Sequence, residues 1–282
     1  MVNALWADQL FQSSLSQDLY RVHSVYDHAL NLYNDQAMIT LVSKDKPKAP
    51  LTCVCNLNSF LNQQLAVGMP VRSTPHTLAI GSLNVDLRNV STESLSELKG
   101  CYSNLKSIGG GHQTLVQWLI QHTQPHGAIA LFSSPKDIFS AQVVHILNQY
   151  LQTQDIRLLP SLVGCGLGLT PSGDDVLVGM LALATSCNHL EFIKKLKHCC
   201  QPVLHQTTSV SQMMLRQAFV GQFNQWHLDL ILSLNRPFEV KERAEICATL
   251  GHTSGTDFMV GVAVYGLRHK QGGYHASNDT RI

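Results

Sequence analysis

The segment Gly164–Asp175 reads GCGLGLTPSGDD and runs directly into the apolar stretch Val176–Ala184. Glycine tolerates positive φ and lets backbone N–H groups approach a ligand closely, so Gly164, Gly166 and Gly168 at alternate positions read as a binding loop. Pro171 fixes the chain ahead of a helix. Ser172 has the chemistry of an N-cap, and Asp175 three residues on is its expected capping-box partner. The N–H groups of such a start, those of Gly166, Gly168 and Gly173 among them, combine with the helix dipole to favour a small anion such as a phosphate or carboxylate. Thr170 and Ser172 add hydroxyl donors. The spacing is not a dinucleotide fingerprint, because residue 169 is Leu, and no Lys-Ser/Thr pair closes it as a P-loop.

A second copy of the helix start lies 82 residues further on: Ser172-Gly173-Asp174-Asp175-Val176-Leu177-Val178-Gly179 aligns with Ser254-Gly255-Thr256-Asp257-Phe258-Met259-Val260-Gly261. Small residues in both helices, Gly179 with Ala182 and Gly261 with Ala263, would let them pack closely and turn both N-termini toward one cleft. Capping accounts for Asp175 and Asp257. Asp174 is different, since Thr256 stands at its place in the repeat and capping does not need it. Two adjacent acids repel a bare phosphate unless a cation such as Mg²⁺ or a ligand donor intervenes. Asp174 is therefore a candidate catalytic residue, orienting an amide or a cation. His252, beside Ser254 and Asp257, is the candidate to move a proton. Gly164, Gly166, Gly168, Thr170, Ser172, Gly173, Asp175, Ser254 and Asp257 are candidate ligand contacts.

Other signals are weaker. Gly109-Gly110-Gly111-His112 reads as a backbone nest for anions or as a flexible junction. Thr207, Thr208, Ser209 and Ser211 open a helix, and Thr208 or Ser209 would touch ligand if that start faces the Gly-rich loop. No H-E-x-x-H or C-x-x-C pattern marks a metal site, and no G-x-S-x-G elbow marks a nucleophile.

The elements around these residues change character along the chain. Leu19–Leu32, Ala37–Val42, Leu51–Leu57 and Val71–Leu87 read as short strands, with breaks at Asn34-Asp35 and 44–50, and suit an antiparallel sheet or small barrel. From Gln113 the period becomes helical, except that Gly127–Phe132 (GAIALF) reads as a buried strand. Helices are expected to start near Gly173, Glu191, Ser209, Val240 and Gly255. The fold class is α+β, a strand-rich first part over 1–135 and a mainly helical part over 136–282, divided at Ser-Ser-Pro.

Composition narrows the classes of function. Of 282 residues only 14% are charged, 20 Lys+Arg against 19 Asp+Glu, where about 25% is usual for a soluble domain. With 44% apolar residues the chain is not disordered, and a net charge of +1 provides no surface for nucleic acid. No apolar stretch reaches the roughly 20 residues a bilayer requires, and the first basic residue is Arg21, so neither a membrane span nor a signal peptide is expected. The eight cysteines read as reduced thiols of a cytoplasmic protein. A weakly charged face tolerates burial in an assembly.

On the string GLGLTPSGDDVLVG, and more loosely on the strand-rich first part, Thr207–Gly221 and GHTSGTD at 251–257, the chain resembles the AllH-type subunit of oxamate carbamoyltransferase. Some members of that family carry a carboxylase label. The resemblance implies a cytoplasmic subunit of a hetero-oligomeric complex in allantoin and purine degradation, with phosphorolysis of oxalurate to oxamate and carbamoyl phosphate as its reaction. The Ser-x-x-x-x-Thr signature of ordinary transcarbamylases is missing, so the machinery would differ. Two other classes stay open at this point: a non-catalytic scaffold or ligand-sensing subunit, and a nucleotide-dependent carboxylase or ligase.

Overall fold

The computed structural model describes residues 1–15, 19–34, 37–92, 95 and 98–272, with side chains of the last helix described to 268. Asp35 of the expected turn and the expected domain's last residues, 273–282, lie outside the described residues. The chain divides into two compact units, 1–96 with 222–225, and 97–221 with 226–282.

The first unit is one mixed sheet with a short helix. In chain order it holds β1 (Val2–Ala7), α1 (Gln9–Leu15), β2 (Arg21–Val25), β3 (Ala29–Tyr33), β4 (Met38–Ser43), β5 (Thr52–Cys55), β6 (Val71–Ser73), β7 (Thr77–Ile80), β8 (Leu83–Asp86) and β9 (Ser91–Thr92). The order across the sheet is β2-β3-β4-β5-β1-β8-β7-β6, with β9 beside β1. Its two ends meet. Val22 N donates to Met69 O and Val71 N to Tyr20 O, both at 2.9 Å, so the sheet curls almost into a barrel and leaves little bare edge. The expected strand-rich part is present, but its pairing is not purely antiparallel: β4–β5, β1–β8 and β1–β9 run parallel. The stretch Leu19–Leu32 is not one strand but most of the β2–β3 hairpin. β1 had no counterpart among the expected strands, yet it is the central strand that joins the two halves. Leu30, Leu32, Ile39, Leu41, Cys53, Leu78, Ile80 and Val85 fill the interior.

The second unit is built from α2 (Gly109–Gln121), α3 (Ile138–Thr153), α4 (Ser172–Ser186), α5 (Leu190–Cys200), α6 (Ser209–Ala218), α7 (Gln225–Ser233), α8 (Pro237–Ala248) and α9 (Ser254–Gly272). The helix starts read from the sequence are met within a few residues, while α7 was not foreseen. Two readings are corrected. Gly127–Phe132 is not a strand: Gly127 takes φ 72°, which breaks the extension, and Ala128–Phe132 winds into a 3-10 turn. Nor is Gly109–His112 a nest or a junction. It opens α2, with Gly111 against the Leu234 carbonyl and the buried His112 ring bonded through Nε2 to Ala263 O at 2.9 Å. No helix among the described residues is long and apolar enough to cross a membrane.

α4 is buried on every side, and α9 is buried over most of its length. A helix apolar all round belongs in a core, and these two form it by packing on each other. Their glycines set the distance. A Cβ added to Gly179 would lie 2.0 Å from Phe258 O, and one added to Gly261 would lie 2.1 Å from Val176 O. Residues 176 and 179 of the first copy are the counterparts of 258 and 261 of the second, so the duplicated helices meet through a local pseudo-two-fold, each glycine against the other's backbone. Gly179→Ala is expected to lower unfolding stability by about 3 kcal/mol or more, because the obstacle is a main-chain carbonyl in a filled core. Gly109→Ala, with open space around it, is expected to be neutral or to stabilise by up to about 1 kcal/mol. Denaturant midpoints of the two variants check this; equal midpoints would remove the glycine contact as the determinant of packing.

Candidate functional site

The glycine loop adopts the conformation its sequence requires. Gly164, Gly166 and Gly168 have φ of 73°, 140° and 87°. Gly166 folds the loop back over the start of α4, where an added Cβ would lie 2.4 Å from Ser172 N. Among the described residues, no acceptor takes the N–H of Gly166, Leu167, Gly168, Leu169 or Thr170. A run of unpaired N–H groups turned by positive-φ glycines, here Gly166 and Gly168, is the kind of backbone that forms an anion-binding concavity. One expected donor is already engaged, Gly173 N–H donating to Cys165 O at 2.8 Å, and the candidate contact Gly164 donates its N–H to Asp174 Oδ1 at 3.0 Å. The candidate donors of the loop are thus Gly166 through Thr170.

The capping box does not form. Pro171, extended at φ −52° and ψ 142°, occupies the cap position and pushes Ser172 into the first turn. The Pro171 carbonyl accepts from Asp174 N at 2.9 Å and Asp175 N at 3.3 Å, and in the second copy Thr253 O accepts from Asp257 N at 2.8 Å. Released from capping, each serine faces the other helix. The Ser254 hydroxyl lies against Asp175 and the Ser172 hydroxyl against Asp257, each favouring the ionised form there. Thr170 and Ser254 share a 2.7 Å hydroxyl hydrogen bond at the half-exposed rim.

Asp174 points elsewhere. Besides Gly164 N–H it accepts from Thr207 Oγ1 at 2.5 Å and Ser211 Oγ at 2.7 Å, so one buried carboxyl ties the loop to the start of α6. Burial raises its pKa against the opposing pull of these three donors. Thr208 caps α6 by accepting from Ser211 N at 3.1 Å, and its hydroxyl donates to Leu169 O at 2.5 Å. The α6 start therefore does face the loop. Thr207, extended just before the α6 cap, and Ser211, in the first turn of α6, are the partners that sequence reasoning did not assign to Asp174.

Asp175 and Asp257 face each other at the two helix starts. Asp257 Oδ1 accepts from Ala128 N at 2.6 Å, and Gly127 leaves no room for a side chain there. Oδ2 of Asp175 and Oδ2 of Asp257 are buried and make no hydrogen bond. Burial, then the Asp257 charge, hold Asp175 well above the ordinary carboxyl range. Burial also lifts Asp257 to about 6, against the nearby hydroxyl of Ser172, the Ala128 N–H and the Thr253 hydroxyl. His252 is exposed and close enough to Asp257 to favour its ionised form. Among the described residues no three His, Cys, Asp or Glu side chains converge as metal ligands.

The raised acid has a definite thermodynamic sign. The folded state keeps the Asp257 proton up to about pH 6, while an unfolded chain releases it near pH 4. Stability from this group is complete below pH 4 and is lost as pH rises through 6, a change of about 3 kcal/mol. His227, buried and pushed down to about 3, slopes the other way between its folded and unfolded values, so wild-type stability alone is a poor readout. Asp257→Asn is expected to gain on wild type by about 3 kcal/mol between pH 4 and pH 7. Urea unfolding of both proteins at several pH values measures the difference, and a pH-independent gap would contradict the raised carboxyl.

Residues 162–266 match the oxamate carbamoyltransferase subunit AllH family, and residues 3–93 match the AllH family N-terminal domain. The first match spans the glycine loop, both helix starts and the packed length of α4 and α9. No solved structure matches the chain. The chain belongs to the AllH family, which is named for a subunit of oxamate carbamoyltransferase.

Proposed function

We propose that this chain is a working subunit of a carbamoyltransferase complex that interconverts oxalurate plus phosphate with oxamate plus carbamoyl phosphate, in allantoin and purine degradation. The observation that carries the reading is the pairing of opposite chemistries at one place. Unpaired N–H groups of Gly166–Thr170 suit the anionic end of such substrates, and the rim hydroxyls of Thr170 and Ser254, backed by the carboxyls at the two helix starts, suit their amide hydrogens. Thr170 and Ser172 add hydroxyls at the α4 end, and Ser254 a hydroxyl and Asp257 a carboxyl at the α9 end. Asp174, occupied by three donors, acts on the ligand through the loop it holds, and is a positioning residue. Exposed His252, beside Asp257, is the residue proposed to move a proton. The family name supports other subunits as partners, and the low charge of the chain fits burial among them.

Gly168 gives the cleanest test, because its φ of 87° disfavours any side chain while no atom lies within 4 Å of an added Cβ. Gly168→Val should therefore change the loop backbone without opening or crowding the core. In the reconstituted complex we expect carbamoyl phosphate or oxamate to bind at least about tenfold more weakly, with the unfolding temperature nearly unchanged, about the effect of losing one or two hydrogen bonds. Calorimetric binding with wild-type and variant chains measures it. Unchanged affinity would remove the loop from the binding site. Turnover by the complex but not by the chain alone is expected, and oxalurate phosphorolysis assays on each decide it.

A further inference from the structure

We propose that Asp175 and Asp257 form one acid–base unit, a carboxyl pair holding a single proton that reaches the bound ligand through the hydroxyls of Ser254 and Thr170. The geometry carries this. Close packing of α4 on α9 at Gly179 and Gly261 leaves the two helix starts facing one another, with Asp175 2% and Asp257 0% exposed. Each keeps a buried Oδ2 without a hydrogen bond, so each has a place for a proton that no protein donor fills. Like charges so close in a desolvated site disfavour double ionisation, whereas the positive ends of two helices disfavour double protonation. One proton on two carboxyls satisfies both constraints. The other charged or titratable groups facing the pair are few. Asp174 adds negative charge beside Asp175, the buried Cys247 thiol lies near Asp175 and is pushed up by burial and by that carboxyl, and exposed His252 lies beside Asp257. The first favours keeping the proton, and the last provides its exchange with solvent.

The path outward is short. Ser254 lies against Asp175, Ser254 and Thr170 share their 2.7 Å hydrogen bond, and Thr170 stands at the end of the loop with unpaired N–H groups. The catalytic use of the pair rests on the carbamoyl-transfer reading. In phosphorolysis an oxygen of hydrogenphosphate attacks the ureido carbonyl carbon of oxalurate, and the bond from that carbon to the oxamate nitrogen breaks. An amide nitrogen is a poor leaving group and must receive a proton as it departs. The pair supplies that proton through the two hydroxyls and regains one from hydrogenphosphate, so protons and charge balance. In the reverse direction the same pair takes the proton that oxamate loses as it attacks carbamoyl phosphate.

Carbon-13 at the aspartate Cγ atoms of the full chain reads the pair directly, and turnover in the reconstituted complex reads its use. Between pH 5 and 8 we expect the Asp175 and Asp257 resonances to titrate together, and Asp257→Asn to shift the Asp175 midpoint to lower pH. In the complex, Asp175→Asn should lower kcat for oxalurate phosphorolysis by about 100-fold or more and move the pH profile, with KM little changed. Ser254→Ala should lower kcat in the same sense, and serves if Asp175→Asn does not fold. Two carboxylates ionised throughout that range overturn the proposal whatever the activity. Joint titration with unchanged turnover and pH profile in the variants also overturns it, and leaves the carbamoyl-transfer reading standing. A wild-type complex inert toward both substrate pairs overturns both.

Discussion

The contact between α4 and α9 decides what the rest of the helical unit can be. Two helices whose nearest faces carry glycine approach until backbone meets backbone, and side chains on the flanks are then fully enclosed. That enclosure explains why α4 is buried all round and apolar from Val176 to Ala184, why α2 yields Gly111 and His112 to the same core, and why Gly127 has no side chain beside Asp257. It also sets the chemistry at one end. Whatever stands in the first turn of α4 meets whatever stands in the first turn of α9, at a depth water does not reach. A duplicated Ser-Gly-x-Asp start placed there becomes two serines and two acids in mutual contact.

Burying two carboxyls works against folding, and several features of the structure offset that cost. The helix dipoles favour negative charge at both starts. Ala128 N–H and the hydroxyls of Ser172, Ser254, Thr170 and Thr253 surround the pair with donors. Asp174 shows what a purely structural solution looks like in the same turn: three donors on two oxygens, joining the loop to α6. The neighbouring acids stop short of that, each with an oxygen left over. Buried polar groups are normally satisfied, so the leftover oxygens of Asp175 and Asp257 set this pair apart from Asp174 in the same turn.

Much of this site could be read in the sequence, and the parts that could not share a cause. Alternate glycines signalled positive φ, and all three have it. The repeat of Ser172–Gly179 at Ser254–Gly261 signalled paired helices, and Gly179 and Gly261 are where they touch. Local rules failed where tertiary contact took over. Serine followed by aspartate at the third position reads as a cap within one helix, but Pro171 took the cap and the partners were exchanged between helices. GAIALF satisfies a strand pattern over too few residues to distinguish it from a turn. The parallel strand pairs and the near-closure of the sheet at Val22 and Val71 depend on partners far apart in sequence, which no local period reports.

The scarcity of charge gains a physical meaning from this arrangement. A protein with few acids that buries Asp174, Asp175 and Asp257 together has spent them where a low dielectric makes each one count. The same low dielectric that raises their pKa values also strengthens the hydrogen bonds made to them. The loop beside these acids carries five N–H groups, those of Gly166 to Thr170, that no acceptor among the described residues takes. The proposed substrates, oxalurate and oxamate, each join a carboxylate to amide nitrogen. Under the carbamoyl-transfer reading proposed above, one ligand would account for the bare N–H groups and the leftover carboxyl oxygens together.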